Sequence, residues 1–385
     1  MRHETTHPWI NFSINMQDAD PRLWLMLGEC KSKIEHIANV PLWPATAKEL
    51  YKLYLAKGVL ATTAIEGNTL SEQEVRDHLD GKLKVPPSRE YLKTEIENII
   101  EICTRIDKGV IDGVVPLLSY DYVCDINRDI LQELELDEGV IPGEIRKHSV
   151  VVGAYRGAPY EECEYLLRKL MEWLNSDDFE CDNNDRIVYS ILKAIISHVY
   201  IAWIHPFGDG NGRTARIIEH TILTAAGVPA VSTHLLSNHY NMTRSDYYRK
   251  LDHASKTRNG LMNFIRYAVL GLLDELKSQI DLIWNQQWEM AWRNYVHSHF
   301  SDKNSFADVR RRRLALDISS TEKGCKQSEI PAISGRMAEY YLNIDGRTLT
   351  RDLRVLVESG LINLDAGVYR AKKETILAFR APSMT

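Results

Sequence analysis

The sequence predicts a mainly α protein: a helical core with a short β-hairpin flap, followed by a C-terminal winged helix-turn-helix module. Three observations carry that expectation. Long stretches place apolar residues at helical spacing, as with Leu50, Leu53, Tyr54, Val59 and Leu60. Between Gly143 and Pro159 the β-branched run Val150-Val151-Val152 sits among glycines and reads as a hairpin. Near the C-terminus an amphipathic segment, GRTLTRDLRVLVESG, precedes LINLDAGVYRAKK, where two short strands turn around Asp365 to Gly367.

Taken in order, residues 1–119 form an N-terminal helical region. The helix through ATAKELYKLYLAKGVLATTAIEGN is ended by Gly67 and Asn68. Ser71 and Glu74 then stand at capping-box spacing and open a second helix through SEQEVRDHL. Residues 120–275 form the core, helical except for the flap, the loop HPFGDGNGRTAR at 205–216 and the Gly227-Val228-Pro229 break. Residues 276–304 read as a connecting helix, through Ile280 to Tyr295, and a polar linker, HSHFSDKNSFAD. Residues 305–385 are the C-terminal module.

The 385 residues, with 44% hydrophobic and 26% charged side chains and a mean hydropathy of −0.30, suit a soluble globular chain. The net charge of −6 argues against a surface devoted to nucleic acid. The charge is uneven, however: residues 303–385 carry 15 Lys and Arg against 10 Asp and Glu. That basic module, with Arg310 to Arg313 in a row, leaves DNA binding open. Six scattered cysteines without a CxxC pair read as reduced thiols. The polar N-terminus lacks the pattern of a signal peptide. The most apolar run, Ile187 to Ile204, contains Lys193 and His198 and so reads as a buried helix rather than a membrane span. A cytoplasmic protein without membrane contact is expected.

The loop at 205–216 is where chemistry is sought. Gly208, Gly210 and Gly212 free the backbone to turn sharply, and the amides opening the next helix then point toward negative charge, as a polyphosphate requires. Arg213 and Arg216, three apart, share a helix face and can fork onto phosphate oxygens. Asp209 offers a hard oxygen of the kind Mg²⁺ takes alongside phosphates. His205 has the side chain to take a proton from an attacking hydroxyl. No GxxxxGK[ST] is present, which excludes a P-loop.

These residues resemble the signature of the Fic family, HxFx[DE]GNGRxxR, met by His205, Phe207, Asp209, Gly210, Asn211, Gly212, Arg213 and Arg216. The resemblance extends through HVYIAWI, the flap and SDYYRKL, and implies a Fic-type catalytic core over 120–275. It implies an enzyme, a nucleotidyltransferase that moves AMP from ATP onto a protein Ser, Thr or Tyr hydroxyl and releases pyrophosphate. ATP is the co-substrate, and Mg²⁺, with Mn²⁺ as an alternative, is the metal. Carried over residue by residue, His205 is the base and Asp209 the metal ligand. Gly208, Gly210, Asn211, Gly212, Arg213 and Thr214 cradle the phosphates, and Arg216 grips the γ-phosphate. Phe207 anchors the loop inward. Val150, Val151, Val152 and Gly153 form the flap that aligns a target peptide by main-chain pairing. Tyr247 and Tyr248 resemble a tyrosine pair near the adenine, although the following DHASKTRNG lacks a match to the family's usual Asn.

A second resemblance lies upstream. Thr62-Thr63-Ala64-Ile65-Glu66-Gly67 meets [ST]xxxE[GN], the inhibitory motif of this family, with Thr62, Glu66 and Gly67 at its fixed positions. A Glu66 carboxylate against Arg216 would occupy the place the γ-phosphate needs. Autoinhibited AMP transfer, self-modification included, is the function this implies, with a homodimer open. The alternatives are transfer of another group, removal of AMP with Glu66 orienting water, and a nucleotide-sensing regulator that binds DNA through its C-terminal module.

Overall fold

The computed structural model describes residues 1–16, 19–152, 155–257, 259–342 and 346–377, with residue 152 by its backbone alone. The chain divides into two compact units, Met1–Ile280 and Asp281–Thr385. The first opens with α1 (Arg2–Thr6), α2 (Pro21–Asn39), α3 (Pro44–Ala64), α4 (Glu72–Leu79), α5 (Glu90–Ile111) and α6 (Tyr120–Ile130). A hairpin follows, β1 (Val151–Val152) and β2 (Tyr155–Arg156), paired antiparallel with Val151 opposite Arg156. After it come α7 (Cys163–Leu174), α8 (Arg186–Ile204), α9 (Asn211–Ala225), α10 (Leu235–Met242), α11 (Arg244–Lys256) and α12 (Gly260–His299).

The centre of this unit is α8 against α9. Residues of α8 are apolar on almost every face, which a helix tolerates only when enclosed on all sides. It has the length and apolarity of a membrane span, yet 78% of its most apolar stretch lies inside the protein. Around the pair, α5 packs on α3, α6 and α9, and α3 packs on α4, α9 and α10. Between α3 and α4 the chain turns at Gly67, whose φ of 112° lies in the region that favours glycine. Asn68 sets the turn by accepting from the Leu70 amide at 3.0 Å and donating to the Leu92 carbonyl at 2.9 Å. The expected capping box then starts α4: Ser71 Oγ accepts from the Glu74 amide and Glu74 Oε2 from the Ser71 amide.

The expected polar linker is helical only at its two ends, and residues 300–305 lie outside any helix. The helix α12 runs on to His299, because Trp292, Val296 and Phe300 recur at helical spacing and are buried in the core of the second unit. In that unit α13 (Phe306–Ser319) is capped by Ser305 and followed by β3 (Cys325–Lys326), α14 (Ile330–Ile333), α15 (Gly335–Tyr341), α16 (Gly346–Glu358), β4 (Ile362–Asp365) and β5 (Val368–Ala371). The strands form a sheet in the order β3-β5-β4, and the β4–β5 turn falls at Ala366 and Gly367 as expected. The basic run at 310–313 is partly internal. Asp352, fully buried, accepts from Arg310 Nε at 2.7 Å, Arg311 Nε at 2.8 Å and the Tyr341 hydroxyl at 3.1 Å, and Arg313 donates to the Tyr340 hydroxyl.

Candidate active site

At the end of α8 the chain leaves the helix through His205, in left-handed conformation at φ 50° and ψ 59°. A non-glycine residue held there stores roughly 1–3 kcal/mol that its surroundings must supply. Arg146 is the main such support. Buried ahead of the flap, it donates Nε to the His205 carbonyl at 2.7 Å, Nη1 to the His148 carbonyl at 2.6 Å and Nη2 to the Ala158 carbonyl at 2.5 Å. One guanidinium thus ties the root of the flap to the loop that carries His205. Gly157 permits this closeness, since a Cβ there would crowd Arg146 and His205. Burial, with the charge of Arg146 second, lowers the His205 imidazole to about 4. The ring is therefore neutral at physiological pH, the state a proton acceptor needs.

The loop is built to hold its shape. Phe207 is buried and bridges Ile145, as the anchor role requires. The Asn211 side chain turns inward, accepting from the Phe207 amide and donating to its carbonyl, both at 2.9 Å. Gly210, at φ 76°, lies against Asn127 of α6, whose amide donates to the Asp209 carbonyl at 3.0 Å and to Thr214 Oγ1 at 3.2 Å. The hydroxyl of Thr214 thus faces the scaffold and is fully buried. Side chains of Asn211 and Thr214 shape the loop from within, which leaves ligand contact to the amides at the start of α9.

Asp209 is half-exposed and accepts from the Gly210 amide and from Arg213 Nη2 at 3.2 Å. A solvent-facing carboxylate beside a helix N-terminus fits a hard divalent cation. Arg213 is mostly buried and also donates to Glu95 Oε1 of α5 at 2.5 Å, while Asn68 donates to Glu95 Oε2 at 2.8 Å. Burial keeps the Glu95 carboxyl above its ordinary value despite the pull of Arg213.

Arg216, also buried, donates Nη2 to Glu66 Oε1 at 2.6 Å and to the Thr62 carbonyl at 2.9 Å. Its Nε and Nη1 have no hydrogen-bond partner among the described residues. Burial works to raise the Glu66 carboxyl, but the charge and hydrogen bond of Arg216, helped by Arg213, outweigh it and hold it below the usual carboxylate value. Gly212 makes room for this approach, since any side chain there would collide with the Glu66 carboxylate. Thr62 contributes its backbone rather than its hydroxyl to Arg216. The Ile65 carbonyl, one residue before Glu66, is held by Arg244 Nη2 at 2.6 Å and by the Tyr248 hydroxyl at 3.3 Å.

Tyr247 and Tyr248, expected as a pair, have ring centroids 5.1 Å apart but differ in exposure. Tyr247 is buried, stacked on Tyr240, with its hydroxyl 2.9 Å from His198 Nε2. Tyr248 stays half-exposed beside Ile65. At the flap, Val151 is exposed on a short strand and the Val150 carbonyl accepts from Gly157. Gly153 and the side chain of Val152 lie outside the described residues. Four residues missed by sequence reasoning complete the site: Asn127, Arg146, Glu95 and Arg244. None belongs to a local pattern that could have revealed it.

Residues 117–223 match the Fic/DOC family, and the chain carries a Fic domain. It is 27% identical over 249 residues to protein adenylyltransferase fic-1 of Caenorhabditis elegans, across 65% of this chain and 45% of that protein. It is 28% identical over 243 residues to protein adenylyltransferase Fic of Nematostella vectensis, across 63% and 53%. The chain thus spans about half the length of these curated relatives. Among solved structures, a Fic family protein from Desulfovibrio desulfuricans G20 superposes with a TM-score of 0.55 at 19% identity, covering 91% of this chain and 96% of that one. C. elegans Fic-1, residues 134–508, gives 0.52 at 23%, covering 68% and 73%. These share the fold.

Proposed function

We propose that the chain is a protein adenylyltransferase held inactive by its own α3. ATP would lie with its phosphates over the first turn of α9, where backbone amides and Arg213 receive them and Arg216 takes the γ-phosphate. His205 would accept the proton of a Ser, Thr or Tyr hydroxyl as its oxygen attacks the α-phosphorus. The bond to the bridging oxygen breaks and pyrophosphate leaves. Mg²⁺ or Mn²⁺, which Asp209 would hold, supplies neutralising charge to the phosphates. The flap root beside His205 supports presentation of an extended target segment by main-chain pairing.

The observation that carries this reading is the half-satisfied guanidinium of Arg216. Two of its nitrogens are buried without a hydrogen-bond partner among the described residues, and the third is held by a carboxylate in the place this reading gives to a phosphate. The test is incubation with α-labelled ATP. The Glu66→Gly variant is expected to label protein, itself included, well above wild type, and Glu66→Gly/His205→Ala to lose that label. No gain in Glu66→Gly would overturn the inhibitory assignment; label that survives loss of His205 would overturn the base. Competition by unlabelled UTP, or label from γ-labelled ATP alone, would redirect the reading to another donor or group.

Helices α13 to α16 and the β3-β5-β4 sheet support a winged helix-turn-helix reading of the second unit. With Arg310 and Arg311 committed to Asp352, DNA contact by this unit would fall to Arg347, Arg351 and Arg354 of α16. A salt-dependent shift of DNA by the whole chain, lost on replacing these three, tests it.

A further inference from the structure

Three side chains that the proposed chemistry does not use meet inside the first unit. Cys103 of α5, His220 of α9 and His234, just ahead of α10, bring a thiol sulfur and two imidazole nitrogens within 4.8 Å of one another. All three are buried. Both ring nitrogens of His220 and Nε2 of His234 have no hydrogen-bond partner among the described residues. A nitrogen sealed from water without a partner is costly, so three of them in one place point to a missing ligand.

The surroundings fit a metal ion. Nε2 of His220 lies 3.1 Å from Asp107 Oδ1, and Asp107 stands one helical turn from Cys103 on α5. The other Asp107 oxygen accepts from the Tyr51 hydroxyl at 3.4 Å. A carboxylate that engages one nitrogen of a histidine fixes the ring and presents the other nitrogen to an ion. Room for His234 comes from α3, where any side chain at Gly58 would collide with the His234 ring. One thiol and two imidazoles, without a carboxylate among the nearest three, are donors that favour Zn²⁺ over Mg²⁺ or Ca²⁺.

We propose that Cys103, His220 and His234 form a Zn²⁺ site, with Asp107 orienting His220 and water completing the tetrahedron. Binding replaces the proton on the Cys103 sulfur, which is released to solvent. The two imidazoles stack with centroids 4.5 Å apart and planes at 12°, so His234 must turn for both lone pairs to reach one ion. Ligand bonds of about 2.0–2.3 Å draw the three atoms together. The ion would join α5, which carries Glu95, to α9, which opens with the phosphate loop, bracing the site from behind. This inference does not depend on the transfer reaction.

The test uses the untagged, full-length chain freed of metal by chelator and titrated with Co²⁺. One equivalent should give intense tetrahedral visible bands and a thiolate charge-transfer band in the near ultraviolet, both erased by Zn²⁺ and untouched by excess Mg²⁺. Cys103→Ala should lose the charge-transfer band, Asp107→Asn should bind about 10–100-fold more weakly, and Asp209→Ala should bind as wild type does. A weak octahedral spectrum in the wild-type chain, or tight binding undiminished in a folded Cys103→Ala, would overturn the site. The wild-type spectrum decides the matter even if a variant fails to fold.

Discussion

Glu66 Oε1 and Arg216 Nη2 lie 2.6 Å apart, joining the turn after α3 to the second turn of α9 across 150 residues of sequence. The same nitrogen reaches the Thr62 carbonyl, so the pair is a joint between two helices as well as two charges. Glu66 retains about a third of its exposure, which screens the pair. A coupling of about 1–3 kcal/mol corresponds to roughly 5–150-fold. Glu66→Gly should therefore raise the initial rate of AMP incorporation within that range, measured with α-labelled ATP. A Thr62→Ala change, which keeps the carbonyl, should raise it far less.

Arg213 is held by Glu95 much as Arg216 is held by Glu66. Replacing a charged acceptor by a neutral one weakens such a bond by about 1 kcal/mol. Glu95→Gln in the Glu66→Gly background should lower KM for ATP about fivefold. An unchanged KM would mean that Arg213 keeps Glu95 when nucleotide is bound.

Burial sets the pH behaviour of the proposed base. His205 protonates near 4 in the folded chain, below the ordinary value of about 6.5. The acidic limb of kcat/KM for Glu66→Gly should thus fall near pH 4 instead of 6.5. Stability follows the same sign. Unfolded His205 takes up a proton from about pH 6.5 and folded His205 only near 4, so its contribution is complete above 6.5 and is lost as pH falls between these values. Stability of wild type relative to His205→Asn across that interval checks the sign.

In the second unit Asp352 is fully buried and serves Arg310, Arg311 and Tyr341 together. Asp352→Ala leaves the buried Arg310 without its anion and Arg311 with Asp308 alone, at a cost of about 3–5 kcal/mol. Denaturant unfolding should show an early transition for that unit. The exposed Asp365→Ala should change stability by less than about 0.5 kcal/mol.

What could be read from sequence was what sits close together in it. The loop from His205 to Arg216, the Gly67-Asn68 turn, the Ser71 and Glu74 cap and the turn before Val368 all depend on neighbours a few residues away. Even the Glu66 contact was legible, because its motif is local though its partner is distant. Arg146, Asn127 and Glu95 were not, since each is an ordinary polar residue until folding places it beside the loop. The short strand β3 stayed hidden for the same reason, being two residues defined by pairing with Tyr369 and Val368. Tyr247 shows another limit of local reading. Helical spacing gave its position, but only tertiary packing shows that Tyr240 and His198 enclose it.

The carbonyl of Ile65 is gripped from α11 by Arg244 and Tyr248, independently of the ion pair beside it. Withdrawing the Glu66 side chain would therefore leave the backbone that carries it moored in place. On the proposed reading the stopper could be pulled without disturbing the neck of the bottle, so a signal that merely swung one carboxylate aside would be enough to open the way and could be undone as quickly as a side chain rotates.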